Sequence, residues 1–469
     1  MGYLYRLRLA VQQCTKRASL HPERFFIVAA LSFGLLMVTF MPPLAGWDEE
    51  AHFVRAYGIS QGVISLKQGE GVAMPTSYRQ TIGCLQTGEP VPGDIYRYRY
   101  STYLADVPGA YECIQRITSE EQESVATTAA AYSPLSYIPQ VAAIIMGRAV
   151  GMPIIGLVYL VRLSVLIVYV GLMLFAIRAS KDRKWALVGM GLLPYSILQV
   201  TNPGADYLLA GGAALYLTII GRSLQKDGLN VRASRRTLML LAAMLAVLAT
   251  SKGLFPGICL LPFLLLYGGF REQLRLKVLL SIVVMGAGLI WQRFIFISGM
   301  KLEVDQAGFL PGFVAAFLKT MFYEMSDVDF LSNKIGIGLD SQVGMPAIIV
   351  SLINILIGMY LFVEYRHSTA VKLRRIFALV GLLSSSLIFF GTFAAFYLAG
   401  SYLLAPGENV IKGVQARYFY PALLLLVLLI YKRPFKASQT TFATVTICGS
   451  IVALTTTIAT LLVAFRPFS

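Results

Sequence analysis

Between Phe25 and Phe53 the chain reads FFIVAALSFGLLMVTFMPPLAGWDEEAHF, an apolar run to Met41, then Pro42-Pro43, then an acidic cluster. A helix needs roughly 17 to 25 largely apolar residues to cross the hydrocarbon layer, and this run reaches that length. Arg6, Arg8, Lys16, Arg17 and Arg24 precede it, which by the inside-positive bias places the N-terminus in the cytoplasm. The run outlasts a signal-peptide core, and a proline pair follows it, so it reads as an uncleaved anchor.

Working outward, composition says the same of the whole chain. Of 469 residues 57% are hydrophobic and 14% charged, with mean hydropathy +0.67. A soluble chain carries about 25% charged residues, so this one has too little polar surface to stand in water alone. The net charge of +16 is therefore read as membrane orientation rather than as a nucleic-acid footprint. Apolar runs of helical length exclude a β-barrel.

After the anchor, the segment from Pro43 to about Tyr132 is polar and too long for an ordinary connection. Between Leu44 and Ala131 it holds six Lys or Arg against eleven Asp or Glu. An acidic segment in a basic protein belongs outside. Further apolar runs lie at about 157–177, 185–200, 206–221, 237–250, 255–270, 278–297, 345–363, 376–399, 418–431 and 442–465. The reading is an all-α polytopic membrane protein with about eleven transmembrane helices, within a range of ten to twelve. Threaded alternately, it keeps 24 of the 40 basic residues in short cytoplasmic segments. Residues 134–151 are apolar enough to span, but a span there would invert everything after it, so they are read as a re-entrant or interfacial helix.

The expected organisation is a cytoplasmic tail (1–24), a first membrane helix (25–42), an extracytoplasmic loop domain (43–156), membrane helices (157–297), a second outside loop (298–344) and C-terminal membrane helices (345–469). In the second loop Phe313, Phe317 and Met321 recur every four residues, as on an interfacial helix with one apolar face. Cys84 and Cys113 are the only cysteines of the first outside domain. In an oxidising compartment a bond between them would constrain the unfolded loop by on the order of 3 to 4 kcal/mol; two unrelated thiols are the other reading.

The chain has no phosphate-binding G-x-x-x-x-G-K-[ST] loop, no H-E-x-x-H and no C-x-x-C pair, which argues against ATP-driven work and a zinc site. Chemistry-capable residues cluster at the outer face. If residues 48–61 are helical, Asp48, His52 and Arg55 share one stripe beside Glu49. Acids at a helix start can equally serve as a cap and satisfy the dipole. Asn202-Pro203-Gly204-Ala205-Asp206 puts one acid at the outer end of a hydrophobic run, either a functional edge residue or a cap for the next span. Tyr132-Ser133-Pro134-Leu135-Ser136-Tyr137 suggests a kinked interfacial helix start whose phenols could stack on a sugar or join an aromatic belt. Gln415-Ala416-Arg417-Tyr418 offers a guanidinium that holds a phosphate or merely snorkels to the interface.

The order of these elements resembles the GT-C superfamily of polytopic glycosyltransferases. In particular it resembles a bacterial branch with a D-E-x-x-H-F element, here Asp48-Glu49-Glu50-Ala51-His52-Phe53, and a late R-Y-x-x-P element, here Arg417-Tyr418-Phe419-Tyr420-Pro421. Trp47, where a Pro commonly precedes the acids, and the single acid Asp206 depart from that pattern. The resemblance implies a multi-pass protein of the bacterial inner membrane with its active site outside. It implies transfer of one sugar from a polyprenyl phosphate such as undecaprenyl phosphate to a polysaccharide or glycolipid acceptor, O-antigen being one example. It further implies dependence on a donor-charging enzyme and a flippase, and contact with membrane lipids. On it, Asp48 is the expected base with Glu49 second; Arg417 meets the phosphate; His52, Arg55, Tyr132, Tyr137, Asp206 and Tyr418 bind substrate, with a divalent cation (Mg or Mn) as a conceivable helper. A polysaccharide polymerase or ligase would share this layout. A transporter fits less well, because the spans hold few ionisable residues and show no matched pair of broken helices.

Overall fold

The computed structural model of the protein describes residues 20–46, 48–66, 70–93, 109–117, 121–180, 183–200, 202–225, 234–251, 254–297, 309–326, 347–364, 371–398, 411, 414, 416–429 and 435–465. Most of the expected cytoplasmic tail and of the second outside loop lie outside the described residues.

The opening run forms α1 (Pro22–Phe40), with proline in its first turn. There the missing N–H costs nothing, and Pro42-Pro43 cannot continue the helix, so it stops at Met41. Two helices follow the acidic cluster and a strand: α2 (Glu49–Ser60) and α3 (Ser77–Thr87) flank β1 (Gly71–Pro75). After α4 (Ala110–Gln115), β2 (Gln122–Ala126) pairs with β1 antiparallel, setting Val72 opposite Val125. This small sheet corrects the all-α expectation for the outside domain. Its residues alternate buried and exposed with period two, but five-residue strands about fifty residues apart carry no local hairpin signal. Cys84 and Cys113 are joined by a disulfide that ties α3 to α4.

Two 3-10 turns, Thr128–Ala131 and Pro134–Tyr137, lead into α5 (Ile138–Ala149). Its twelve residues reach about 18 Å, short of a bilayer. Ala143 and Ile144 are buried against α2 and the next helix, while Ile145 and Met146 face outward. The segment 43–156 thus packs a second core, built on Phe53, Val54, Tyr57, Tyr78 and Ile82 together with Val161 of the next helix.

The membrane part contains α6 (Ile154–Ala179), α7 (Lys184–Gly191), α8 (Pro194–Val200), a π-helical turn (Leu208–Gly212) leading into α9 (Ala213–Gln225), α10 (Arg235–Ser251), α11 (Leu254–Leu266) and α12 (Leu274–Ile297). It continues with α13 (Phe309–Ser326), α14 (Ala347–Phe362), α15 (Val371–Leu398), a 3-10 turn (Ala416–Phe419), α16 (Tyr420–Leu429) and α17 (Gln439–Phe465). Every apolar run is helical, yet among the described residues five helices are long and apolar enough to cross a membrane: 22–40, 154–179, 274–291, 375–397 and 439–463. The run at 185–200 is two helices, broken just before Pro194, whose ring cannot sit in a helix interior.

Small residues let the helices approach closely, as packing inside lipid requires. A methyl on Gly34 of α1 would lie 2.6 Å from Leu166 of α6, and one on Gly191 2.7 Å from Met173. Val28, Ile167, Phe175, Ile282 and Leu387 remain exposed on the outer surfaces of the long helices, as lipid-facing residues are. On α13 the expected face of Phe313, Phe317 and Met321 does pack, onto Phe389 and Phe393 of α15 and onto Val414. The opposite face carries exposed Val314, Leu318 and Phe322. The helix is therefore apolar on both sides, which corrects the expectation of a single apolar face.

Candidate functional site

The acidic cluster folds as the start of α2, and its residues part company there. Asp48 precedes the helix with φ +54°, the left-handed region that Asp tolerates better than most residues. Its side chain makes no capping hydrogen bond and it is half-buried, so the capping reading has no support. Glu49, one residue on, is fully buried. Arg162, from the middle of α6, donates from Nε to Oε1 at 2.6 Å and from Nη2 to Oε2 at 2.7 Å, and the Gly46 N–H donates to Oε2 at 2.9 Å.

The same guanidinium donates to the carbonyls of Val38, Met41 and Pro42. These are carbonyls that the end of α1 leaves without helical partners. Arg162 thus welds the end of α1, the start of α2 and the middle of α6. With both oxygens engaged, Glu49 is placed as a structural carboxylate rather than an alternative base. The sequence reading missed Arg162, although an arginine inside an apolar run was a legible signal.

Arg55 is also fully buried. It donates to the carbonyls of Val63 (3.1 Å), Ile64 (2.6 Å) and Tyr132 (3.3 Å). Burial pulls its pKa below the usual value, a shift partly opposed by Tyr137. Its two Nη groups hold the loop after α2 and the Tyr132 backbone, while its Nε has no hydrogen-bond partner among the described residues.

His52 turns to the other side of α2. Its Nδ1 lies 2.6 Å from the Tyr137 hydroxyl, and its ring meets Tyr132 edge-on at 4.8 Å. Burial, with Tyr132 adding to it, raises the Tyr137 pKa well above its ordinary value; Asp206 and Tyr207 push the same way and Arg55 opposes them. The loop 202–206 closes over this pair. A carbon placed on Gly204 would sit 3.2 Å from Asp206 Oδ2 and 3.3 Å from His52 Nε2, so carboxylate and imidazole converge on the space beside that glycine. Asn202 reaches the other cluster: a carbon on Gly46 would meet its Nδ2 at 3.3 Å and Glu49 Oε2 at 3.0 Å.

Residues the sequence reading did not single out hold this loop in place. Gln140 Nε2 donates to the carbonyls of Pro203 (2.9 Å) and Gly204 (3.3 Å), and the Tyr207 hydroxyl donates to the Ser136 carbonyl (3.1 Å). The loop runs into the π-helical turn 208–212, a distortion frequent beside functional sites.

The late motif reaches the neighbourhood through α8. The turn Ala416–Phe419 packs against α8, whose chain runs on toward Asn202. Tyr418 meets Phe396 in a tilted ring contact with centroids 5.3 Å apart, and Tyr420 donates to the Met190 carbonyl at 3.0 Å. Arg417 has its backbone in this turn; its side chain lies outside the described residues. Among the described residues no group of three or more His, Cys, Asp or Glu side chains is arranged to hold a metal ion.

A sequence model of one family, described as a predicted membrane protein (DUF2142), matches residues 31–427. The chain belongs to that family. No curated protein and no solved structure matches the chain. The stretch shared with DUF2142 takes in α1 from Leu31, the whole outside domain, the 202–206 loop and the Arg417-Tyr418 turn. It thus contains every element of the site.

Proposed function

We propose that this DUF2142 protein is an inverting glycosyltransferase of the bacterial inner membrane. It moves one sugar from a polyprenyl phosphate to an extracytoplasmic acceptor hydroxyl, such as one on a cell-surface polysaccharide. The observation that carries the reading is the gathering of His52, Tyr132, Tyr137 and Asp206, drawn from three separate parts of the chain, on the helix α2 that Asp48 immediately precedes. The motif order shared with GT-C enzymes supports it, as does the packing of the Arg417-Tyr418 turn on α8.

In this reading Asp48 is the base, because it is half-buried while Glu49 and Asp206 are buried and Glu49 is held by Arg162. It takes the acceptor proton as the hydroxyl oxygen attacks the anomeric carbon. The bond to the phosphate oxygen breaks, its electron pair leaving with the polyprenyl phosphate. That leaving group needs positive charge rather than a proton, which is the role given to Arg417. One displacement inverts the anomeric centre, and no step is routed through a metal.

The test is a transfer assay with purified protein in detergent, offering polyprenyl-monophosphate hexoses and candidate acceptors. Wild type should release polyprenyl phosphate, and Asp48→Asn should lower the rate by roughly 10² to 10⁴ while staying folded. Retention of configuration in the product, or turnover only with a lipid-diphosphate oligosaccharide, would overturn this reading. The second result would favour a polymerase or ligase.

A further inference from the structure

The Tyr137 phenol is sealed inside the protein, and among the described residues its hydroxyl has one hydrogen-bond partner, His52 Nδ1 at 2.6 Å. Two arrangements share that distance. If Nδ1 carried the proton and donated it, the phenol's own hydrogen would be buried with nothing to accept it, which costs about 1 to 3 kcal/mol. If the phenol donates, both its hydrogen and Nδ1 are satisfied. Burial and the neighbouring Tyr132, Asp206 and Tyr207 also keep that phenol protonated, against the pull of Arg55.

With Nδ1 occupied as an acceptor, the imidazole proton must reside on Nε2. That nitrogen faces the space beside Gly204, which Asp206 Oδ2 also faces. We infer that Tyr137 fixes His52 as the Nε2–H tautomer, so that Tyr137, His52 and Asp206 form a directed chain in which the imidazole presents a donor toward the Asp206 carboxylate. Tyr137 is a positioning residue acting through His52. The groups that meet the ring are Tyr132 and Tyr137 from the turns before α5 and Asp206 from the loop; the charged neighbours along its own helix are Glu49, held by Arg162, and Arg55, held on three carbonyls. The consequence for catalysis rests on the transferase reading: His52 holds a carboxylate rather than removing a proton at Nε2. The tautomer itself does not depend on that reading.

The chain contains three histidines, His21, His52 and His367, so ring-¹⁵N spectra of the full-length protein, labelled with [¹⁵N]histidine in detergent, can be assigned with His21→Gln and His367→Gln variants. The expected wild-type spectrum shows His52 protonated at Nε2 and bare at Nδ1, unchanged between about pH 5.5 and 8. Tyr137→Phe keeps the ring and removes only the hydroxyl; in it, His52 should lose the fixed tautomer and titrate inside that window. Asp206→Asn should keep the Nδ1 signature and shift the Nε2 resonance. A wild-type His52 protonated at Nδ1, or a spectrum identical in Tyr137→Phe, would overturn the inference. Because no sugar transfer is measured, an inactive protein with the expected spectrum would count against the transferase reading alone.

Discussion

Two buried polar clusters flank the first turns of α2, and they are built to opposite purposes. On the α6 side, Glu49 and Arg162 close on each other and on backbone groups from three segments. On the side of the 202–206 loop, His52 meets Tyr137 and approaches Asp206 closely beside Gly204. The first is a joint between segments; the second gathers an imidazole, a phenol and a carboxylate and is the candidate site. Residue type does not separate the two, since each holds a carboxylate and a cationic or ionisable partner.

That contrast can be broken most directly at Glu49. Glu49→Ala leaves the Arg162 charge buried and unpaired, a loss expected to be about 3 to 5 kcal/mol. Thermal unfolding in detergent should show a collapse of stability, and replacing the pair together with Leu and Met should restore much of it. If Glu49→Gln instead left the melting temperature alone and abolished transfer, Glu49 would belong with the working cluster.

Next in size, changing both Cys84 and Cys113 to Ser should cost roughly 3 to 4 kcal/mol by freeing the 29-residue separation they close. Limited proteolysis should find cleavage confined at first to the outside domain, with the membrane helices intact.

At the working cluster the effects should reverse, small on stability and large on rate. Asp48→Asn should stay within about 0.5 kcal/mol of wild type, and the transfer assay should show the rate falling as given above. A large drop in stability would move Asp48 to the structural side. The smallest structural change is Gly204→Ala, which inserts a methyl 3.2 Å from Asp206 Oδ2 and 3.3 Å from His52 Nε2. Asp206 and His52 must each give by a few tenths of an ångström, so transfer should fall by more than melting does, and unchanged turnover would show that the contact beside Gly204 is not used.

Much of the architecture was legible beforehand. The run beginning at Phe25 predicts α1 because a long apolar segment has no other stable state in a bilayer than a helix, which satisfies its backbone internally. The segment 48–61 predicts α2 within a residue, as does 157–177 the core of α6. Tyr132, Tyr137, His52 and Asp206 could be named as polar groups at membrane edges before any of them was seen to meet. The roles of Arg55 and Glu49 were not legible. A stripe on a helix says which residues share a face, not what the face is pressed against, and Arg55 proves to face three carbonyls.

By itself, then, the sequence determined the membrane character, the helical runs, and the acidic segment 43–156 with its cysteine pair, because each follows from composition and periodicity over a few neighbouring residues. Tertiary structure alone decided that Glu49 meets Arg162 across 113 residues, that His52 meets Tyr137 across 85, and that β1 finds β2. Those pairings depend on which helix faces which at close range, where a buried charge or phenol must find its one partner or pay for its absence.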